Sequence, residues 1–105
     1  MREFVRAQVR LIPPEEGGRA TGIVANEPVS SYAPHARVGA GGELPVLVVD
    51  GPAWMLPGEE AELVLELRYP GRVDYSALVE GEEFVLLEGA RVVARGTVLR
   101  HRREA

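Results

Sequence analysis

Apolar and polar residues alternate over much of this sequence, with the two-residue period of a β-strand that buries one face. The first such run is FVRAQVRLI at residues 4–12, followed at once by Pro13 and Pro14. Proline ends a strand because it has no amide hydrogen for the ladder. We therefore predict a half-buried strand over 4–12, and its expected inward-facing residues are Val5, Ala7, Val9 and Leu11.

The clearest alternation lies in MLPGEEAELVLELRYP, which begins at Met55. Its Pro57-Gly58 pair is typical of the centre of a type II turn, in which glycine supplies the positive φ. A helix is the competing prediction for residues 59–68, but a period of 2 describes them better than 3.6. We predict a strand with one solvent-exposed face. The apolar residues predicted for its other face are Ala61, Leu63, Leu65, Leu67 and Tyr69.

Shorter segments supply the remaining predicted elements. TGIVAN (21–26) and VLVV (46–49) are predicted strands, while SSYAPHARV (30–38) is expected to be extended because proline disfavours helix in the residue before it. GAGG (39–42) predicts a loop. FVLLEGARVVARGTV at 84–98 predicts two strands joined by a tight hairpin, which is centred on Glu88, Gly89 and Ala90.

The number and spacing of these elements predict an all-β fold. About six short strands separated by glycine and proline turns are typical of a small barrel or sandwich. A chain of 105 residues is the size of one domain. We expect a single β-barrel domain over 1–100 and a frayed, charged tail over 101–105.

The absence of cysteine excludes disulfides and thiolate chemistry, and it agrees with a cytoplasmic location. No apolar run is long enough to span a membrane, and the amino-terminal residues lack the apolar centre of a signal peptide. No membrane partner is expected. All twelve basic residues are arginine, which suits a GC-rich genome or a thermophilic source.

Charge is distributed unevenly along the chain. The net charge is −4, yet residues 91–105 carry five arginines against Glu104. Residues 43–88 carry eleven acids against two arginines. Overall acidity argues against a dedicated nucleic-acid binder, but a small basic patch stays open as an alternative.

Candidate catalytic residues are not apparent in the sequence. His35 and His101 are the only histidines, and with no cysteine they do not suggest a metal site. Adjacent glutamates such as Glu15-Glu16 point to opposite faces of a strand and make poor acid–base pairs. The glycine-rich GAGGEL matches neither a phosphate loop nor a dinucleotide fingerprint. We expect no enzyme activity, no metal and no cofactor.

The basic cluster near the carboxyl terminus is a candidate binding surface. The first and last strands of a closed barrel often pair, which would add Arg6 and Arg10 to it. Such a patch could contact phosphates or an acidic protein, although no aromatic stacking platform accompanies it, and solubility alone is the competing explanation. The cluster consists of Arg91, Arg95, Arg100, Arg102 and Arg103.

Two loop features complete the candidates. Tyr32 and His35 flank Pro34 and either line a shallow groove or simply pack a loop onto the barrel. In EEGGR (15–19), both glycines are predicted to adopt positive φ. Arg19 is predicted to pair with one of the neighbouring acids or with a backbone carbonyl.

Three segments in order resemble the C-terminal β-barrel of bacterial elongation factor Tu. They are FVRAQVRLIPPEEGGR at 4–19, MLPGEEAELVLEL at 55–67 and FVLLEGARVVARGTV at 84–98, so the resemblance covers nearly the whole chain. It implies a six-stranded antiparallel Greek-key barrel. The family's GTPase domain and its phosphate loop are missing, so no GTP binding is expected.

The positions that face tRNA in that family are largely altered here. Ala20 stands where the family has histidine, and EPVSSYAPHARV lacks the glutamine and threonines of the matching stretch. Gly89, Arg91 and Gly96 keep the family's residue types. The barrel-building features are therefore retained more fully than the tRNA-reading ones.

Two functional hypotheses follow. The first is a stand-alone, non-catalytic barrel that binds a protein partner or associates with itself. The alternative is a weak tRNA- or RNA-binding module, related to translation, that uses the basic patch. The candidate contact residues are Arg19, Tyr32, His35, Gly89, Arg91, Arg95 and Arg100.

Overall fold

A computed structural model of the chain describes residues 2–25 and 32–104, and within these ranges the chain forms a closed six-stranded antiparallel β-barrel. The order around the barrel is β1-β4-β3-β2-β5-β6, in which β1-β4-β3-β2 is a Greek key. The predicted all-β barrel is confirmed. The strands are β1 (Arg2–Leu11), β2 (His35–Arg37), β3 (Leu44–Asp50), β4 (Glu60–Leu67), β5 (Glu83–Glu88) and β6 (Arg91–Glu104).

Alternating side chains of β1, β3 and β4 fill the barrel interior. The four apolar residues predicted to face inward from β1 are all buried, and Leu63, Leu65 and Leu67 of β4 join them. Removing this apolar surface from water is the main force that favours the closed sheet. Tyr69 is an exception to the prediction: β4 ends at Leu67, and the Tyr69 side chain is exposed.

Both predicted turns are present. The Leu56 carbonyl accepts a hydrogen bond of 3.0 Å from the amide of Glu59, and Gly58 between them has a φ of 90°. Gly89 has a φ of 61° and, together with Ala90, connects β5 to β6. Each turn therefore places glycine where a side chain would strain the backbone.

The strand predicted over 21–26 is wrong for residues 21–25, and Asn26 lies outside the described residues. Only Ile23 pairs there, in an isolated bridge to Met55. The partner segment cannot extend the ladder because Pro52 lies before it and the Pro57-Gly58 turn follows. Of the predicted extended segment 30–38, residues 35–37 form β2, while Ser30 and Ser31 also lie outside the described residues.

Residues 101–104 continue β6 rather than forming the expected frayed tail. Glu104 pairs with Arg2, and the His101 ring lies 2.7 Å from a Glu3 carboxylate oxygen and 2.8 Å from the Leu78 carbonyl. A register shift leaves Leu99 without a partner in β1, so its side chain is exposed. Long-range contacts with β1 thus order a segment whose composition suggested disorder.

The EEGGR loop contains two glycines that serve different purposes. A 3-10 turn over Pro14–Glu16 ends at Gly17, which has the predicted positive φ, of 94°. The prediction of positive φ is wrong for Gly18. Gly18 is instead required by close approach, because a Cβ atom there would lie 1.7 Å from the Ile12 carbonyl oxygen.

Substitution of Gly18 by alanine is therefore expected to lower the free energy of unfolding by about 1–3 kcal/mol, since the added methyl group overlaps the backbone of Ile12. Gly42→Ala is the matched control, because no atom lies within 4 Å of a Cβ at that position. It should change stability by less than about 0.5 kcal/mol. Urea denaturation of both variants tests this, and equal midpoints would contradict the close approach.

Candidate functional site

Arg19, Tyr32 and Glu88 form a compact polar cluster. The Arg19 guanidinium pairs with Glu88 Oε2, and the Tyr32 hydroxyl donates to the same oxygen at 2.7 Å. The guanidinium also lies over the Tyr32 ring, 5.1 Å from its centroid. Further donation to the carbonyls of Thr21 (3.1 Å) and Gly22 (3.4 Å) holds the loop against the barrel.

This cluster settles the role predicted for Arg19. The predicted contact with backbone carbonyls is confirmed, but the acidic partner is Glu88 rather than a neighbour in the loop. Glu16 pairs instead with Arg10, at 3.2 Å. Glu88 reaches Arg19 because it ends β5 beside the hairpin, a contact that spans 69 positions in the sequence.

The cluster borders a cleft of about 430 Å³, which we name the tyrosine cleft. His35 and Glu43 also line it, with His35 Nδ1 2.8 Å from a Glu43 carboxylate oxygen. Ala33, Pro34 and Leu87 add apolar surface to the lining. Four of the predicted contact residues therefore come together along this cleft: Arg19, Tyr32, His35 and Gly89.

Burial raises the pKa of the Tyr32 phenol, and the nearby Glu88 carboxylate raises it further, although Arg19 opposes them. The phenol consequently remains protonated and donates its hydrogen bond over the ordinary pH range. Glu88 accepts from both neighbours, so its carboxylate already has partners. These contacts hold the three side chains of the cluster in place relative to one another.

Three large apolar side chains are exposed next to the Ile23–Met55 bridge, and we name them the apolar patch. Trp54 is 52% exposed, Leu56 47% and Val24 38%. The bridge between Ile23 and Met55 points those two side chains into the core, so the residues on either side of them point outward. The patch is therefore a direct result of the short bridge.

Gly22 connects the apolar patch to the tyrosine cleft. Arg19, at the cleft, donates to the Gly22 carbonyl, and the Trp54 indole packs on Gly22. A Cβ atom on Gly22 would lie 2.3 Å from the Met55 carbonyl oxygen and 3.1 Å from Trp54 Cε2, so the bridge backbone and the indole both approach this glycine closely. The sequence prediction missed this patch. Its available signal was the one tryptophan of the chain, placed among turn residues rather than in an alternating run.

The remaining predicted contact residues lie on β6. The predicted pairing of the first and last strands is confirmed, and it places Arg100 opposite Arg6 and Arg95 opposite Arg10. Along the described part of the chain, no ion pair is found for the three arginines that we call the β6 arginines, namely Arg91, Arg95 and Arg100.

The basic side chains of β1 differ from those of β6 because β4 lies beside them. Arg2 pairs with Glu66 at 3.1 Å, and Arg6 pairs with Glu62. The acids on the outer face of β4 therefore offset the positive charge of β1. The excess positive charge of this side of the barrel lies on β6.

A comparison with models of known protein families finds none that matches this sequence. Residues 2–25 and 32–104 contain no helix long and apolar enough to cross a lipid bilayer. In the same residues, no group of three or more metal-ligating side chains is placed to hold an ion. The indications of function come from the tyrosine cleft, the apolar patch and the β6 arginines.

The Tyr32 environment makes a testable prediction. Glu88→Gln removes the charge that disfavours the phenolate, so the pKa of Tyr32 should fall toward its ordinary value of 10.0 while burial keeps it above that value. The raised folded-state pKa implies stability that is complete below pH 10 and is lost as the pH rises beyond it.

An alkaline NMR titration of the Tyr32 ¹³Cζ resonance measures this pKa directly. Glu43→Gln is the control, because Glu43 lines the same cleft and its carboxylate contacts His35. A Tyr32 pKa that is unchanged or higher in Glu88→Gln would contradict the role assigned to this carboxylate.

Proposed function

We propose that this chain is a non-catalytic β-barrel module, related to the C-terminal domain of elongation factor Tu, that binds a protein partner. The observation that carries the proposal is the half-exposed Trp54, with Val24 and Leu56 beside it on one surface. Clustered apolar side chains of this size on a folded domain mark interaction sites. Tryptophan is also among the residues that contribute most to protein–protein binding.

The surroundings of the patch support a protein as the occupant. A protein interface combines an apolar centre with a polar, charged rim. Here the rim is supplied by the tyrosine cleft, where Arg19, His35 and Glu43 carry groups of both signs. The proposed partner presents an apolar side chain to Trp54 and polar groups to the cleft.

The proposed role is binding without catalysis and without GTP hydrolysis. The Tyr32 hydroxyl and the Glu88 carboxylate are engaged with each other, as described above. The sequence contains no phosphate-loop spacing. The retained barrel motifs together with the altered tRNA-facing positions support a module whose partner is a protein.

Leu56→Ser and Leu99→Ser test this proposal as a matched pair. Both remove one exposed leucine, 47% and 41% exposed respectively, but only Leu56 belongs to the apolar patch. Leu56→Ser should weaken partner binding by about tenfold or more, because an apolar contact at the centre of an interface is lost. Leu99→Ser should bind as the parent chain does.

Sedimentation of the purified protein over a concentration series measures self-association, and affinity capture from a cell extract measures hetero-association. Trp54 is the only tryptophan, so its fluorescence reports contact at the patch itself. A blue shift on association that Leu56→Ser reduces supports the proposal. Association that both variants retain equally, or no association in either measurement, would overturn it.

RNA binding is a second candidate, favoured by the β6 arginines. Arg100 and Arg95 lie opposite Arg6 and Arg10 of β1, whose charges are already offset by Glu62 and Glu16. The β6 arginines therefore hold the positive charge that a bound polyanion would neutralise. Phosphate contacts of this kind are independent of sequence.

A gel-shift assay with tRNA at low salt tests this candidate. If Arg95 and Arg100 contact phosphates, each change to glutamine should reduce the slope of log affinity against log salt by about 1. Arg68→Gln is the control, since Arg68 lies over the Tyr69 ring on another part of the barrel. The absence of a shift at about 50 mM salt with micromolar protein would exclude the candidate.

A further inference from the structure

A second cleft, of about 220 Å³, lies across β2, β5 and β6, and we name it the arginine cleft. Arg37 of β2 and Arg95 of β6 line it, together with Glu83 of β5. Val85 pairs with both arginines, so the three residues form one row across neighbouring strands. The two arginine backbones are therefore about 10 Å apart, twice the strand spacing, with a neutral residue between them.

Neither arginine of the row is neutralised by a neighbour. No ion pair to Arg37 or Arg95 is found in the described residues. Arg37 Nε is buried and has no hydrogen-bond partner among them. A buried donor without a partner is unfavourable, and two guanidinium groups on one cleft attract an anion.

The walls of the cleft leave room for a small ligand. Gly39 and Gly96 line it and contribute no side chains. A Cβ atom on Gly96 would lie 2.6 Å from Cζ of the buried Phe84 ring, so core packing behind the cleft requires this glycine. The apolar core directly behind the cleft strengthens electrostatic interactions beside it.

Glu83 gives the cleft its selectivity. Its carboxylate lines the same space, yet no ion pair joins it to either arginine within the described residues. The cleft thus offers two cationic donor groups and one acceptor. A tetrahedral anion that keeps one proton satisfies all three, since its bare oxygens accept from arginine and its hydroxyl donates to the carboxylate.

We infer that the arginine cleft binds inorganic phosphate, whose hydrogen phosphate form carries two negative charges and keeps one proton at neutral pH. Sulfate has the same shape but no proton at neutral pH, and its charge is repelled by Glu83. A phosphodiester has neither the proton nor a second charge, so this site is distinct from an RNA-backbone contact. It is also independent of the proposed protein partner.

An NMR titration tests the inference on the intact chain. The Nε–Hε resonances of Arg37 and Arg95 are followed while inorganic phosphate, glycerol phosphate or sulfate is added at matched ionic strength and pH 7. Saturable shifts with phosphate, at least about tenfold tighter than with sulfate, are expected. Glycerol phosphate loses its second proton at about pH 6, so at pH 7 it is expected to bind more weakly than inorganic phosphate.

Variants assign the effect to the cleft. Arg37→Gln and Arg95→Gln should each weaken phosphate binding about tenfold or more through loss of a charge-assisted hydrogen bond. Arg95 is exposed, so its variant keeps the test valid if Arg37→Gln does not fold. Glu83→Gln should reduce the preference for phosphate over sulfate. Arg72→Gln is the control, because Arg72 lines a different cleft.

Three results would overturn the inference. The first is the absence of a saturable shift with phosphate. The second is equal affinity for phosphate and sulfate in the parent chain. The third is phosphate binding that survives in both arginine variants.

Discussion

The antiparallel pairing of β1 with β6 joins the two ends of the sheet, and the rest of the structure depends on that closure. It removes the open edges that a six-stranded sheet would otherwise expose. The pairing runs from Arg2 to Leu11 along β1 and contains one register shift, which leaves Leu99 of β6 without a partner. Because of that shift, Arg100 lies opposite the exposed Arg6 rather than the buried Val5.

The sequence predicted those parts of the fold that depend on local physics. Alternation in β1 and β4 identified the buried faces. Gly58 and Gly89 marked two turns correctly because a positive φ depends on the local backbone alone. The Ile23–Met55 bridge and the Arg19–Glu88 contact could not be predicted in this way. Each joins segments far apart in the chain, so only the closed barrel brings them together.

The residues of the candidate site likewise fall into those that the sequence predicted and those that it did not. Tyr32 and His35 could be selected from the sequence because they are an aromatic and a titratable residue that flank Pro34. The exposure of Trp54 could not, since an apolar residue near a strand is more often buried. The indole packs against Gly22, a contact between two loop segments. Exposure of this kind is set by packing between loops rather than by periodicity.

The β6 arginines give the closure one further property. No ion pair offsets their charge in the described residues, whereas Arg6 and Arg10 on β1 pair with Glu62 and Glu16. Any anion that binds the folded barrel at β6 shifts the folding equilibrium toward the folded state by mass action. Ligand concentration and fold stability are thus thermodynamically linked through Arg95 and its neighbours. The melting temperature therefore reports what fraction of the anion site is occupied.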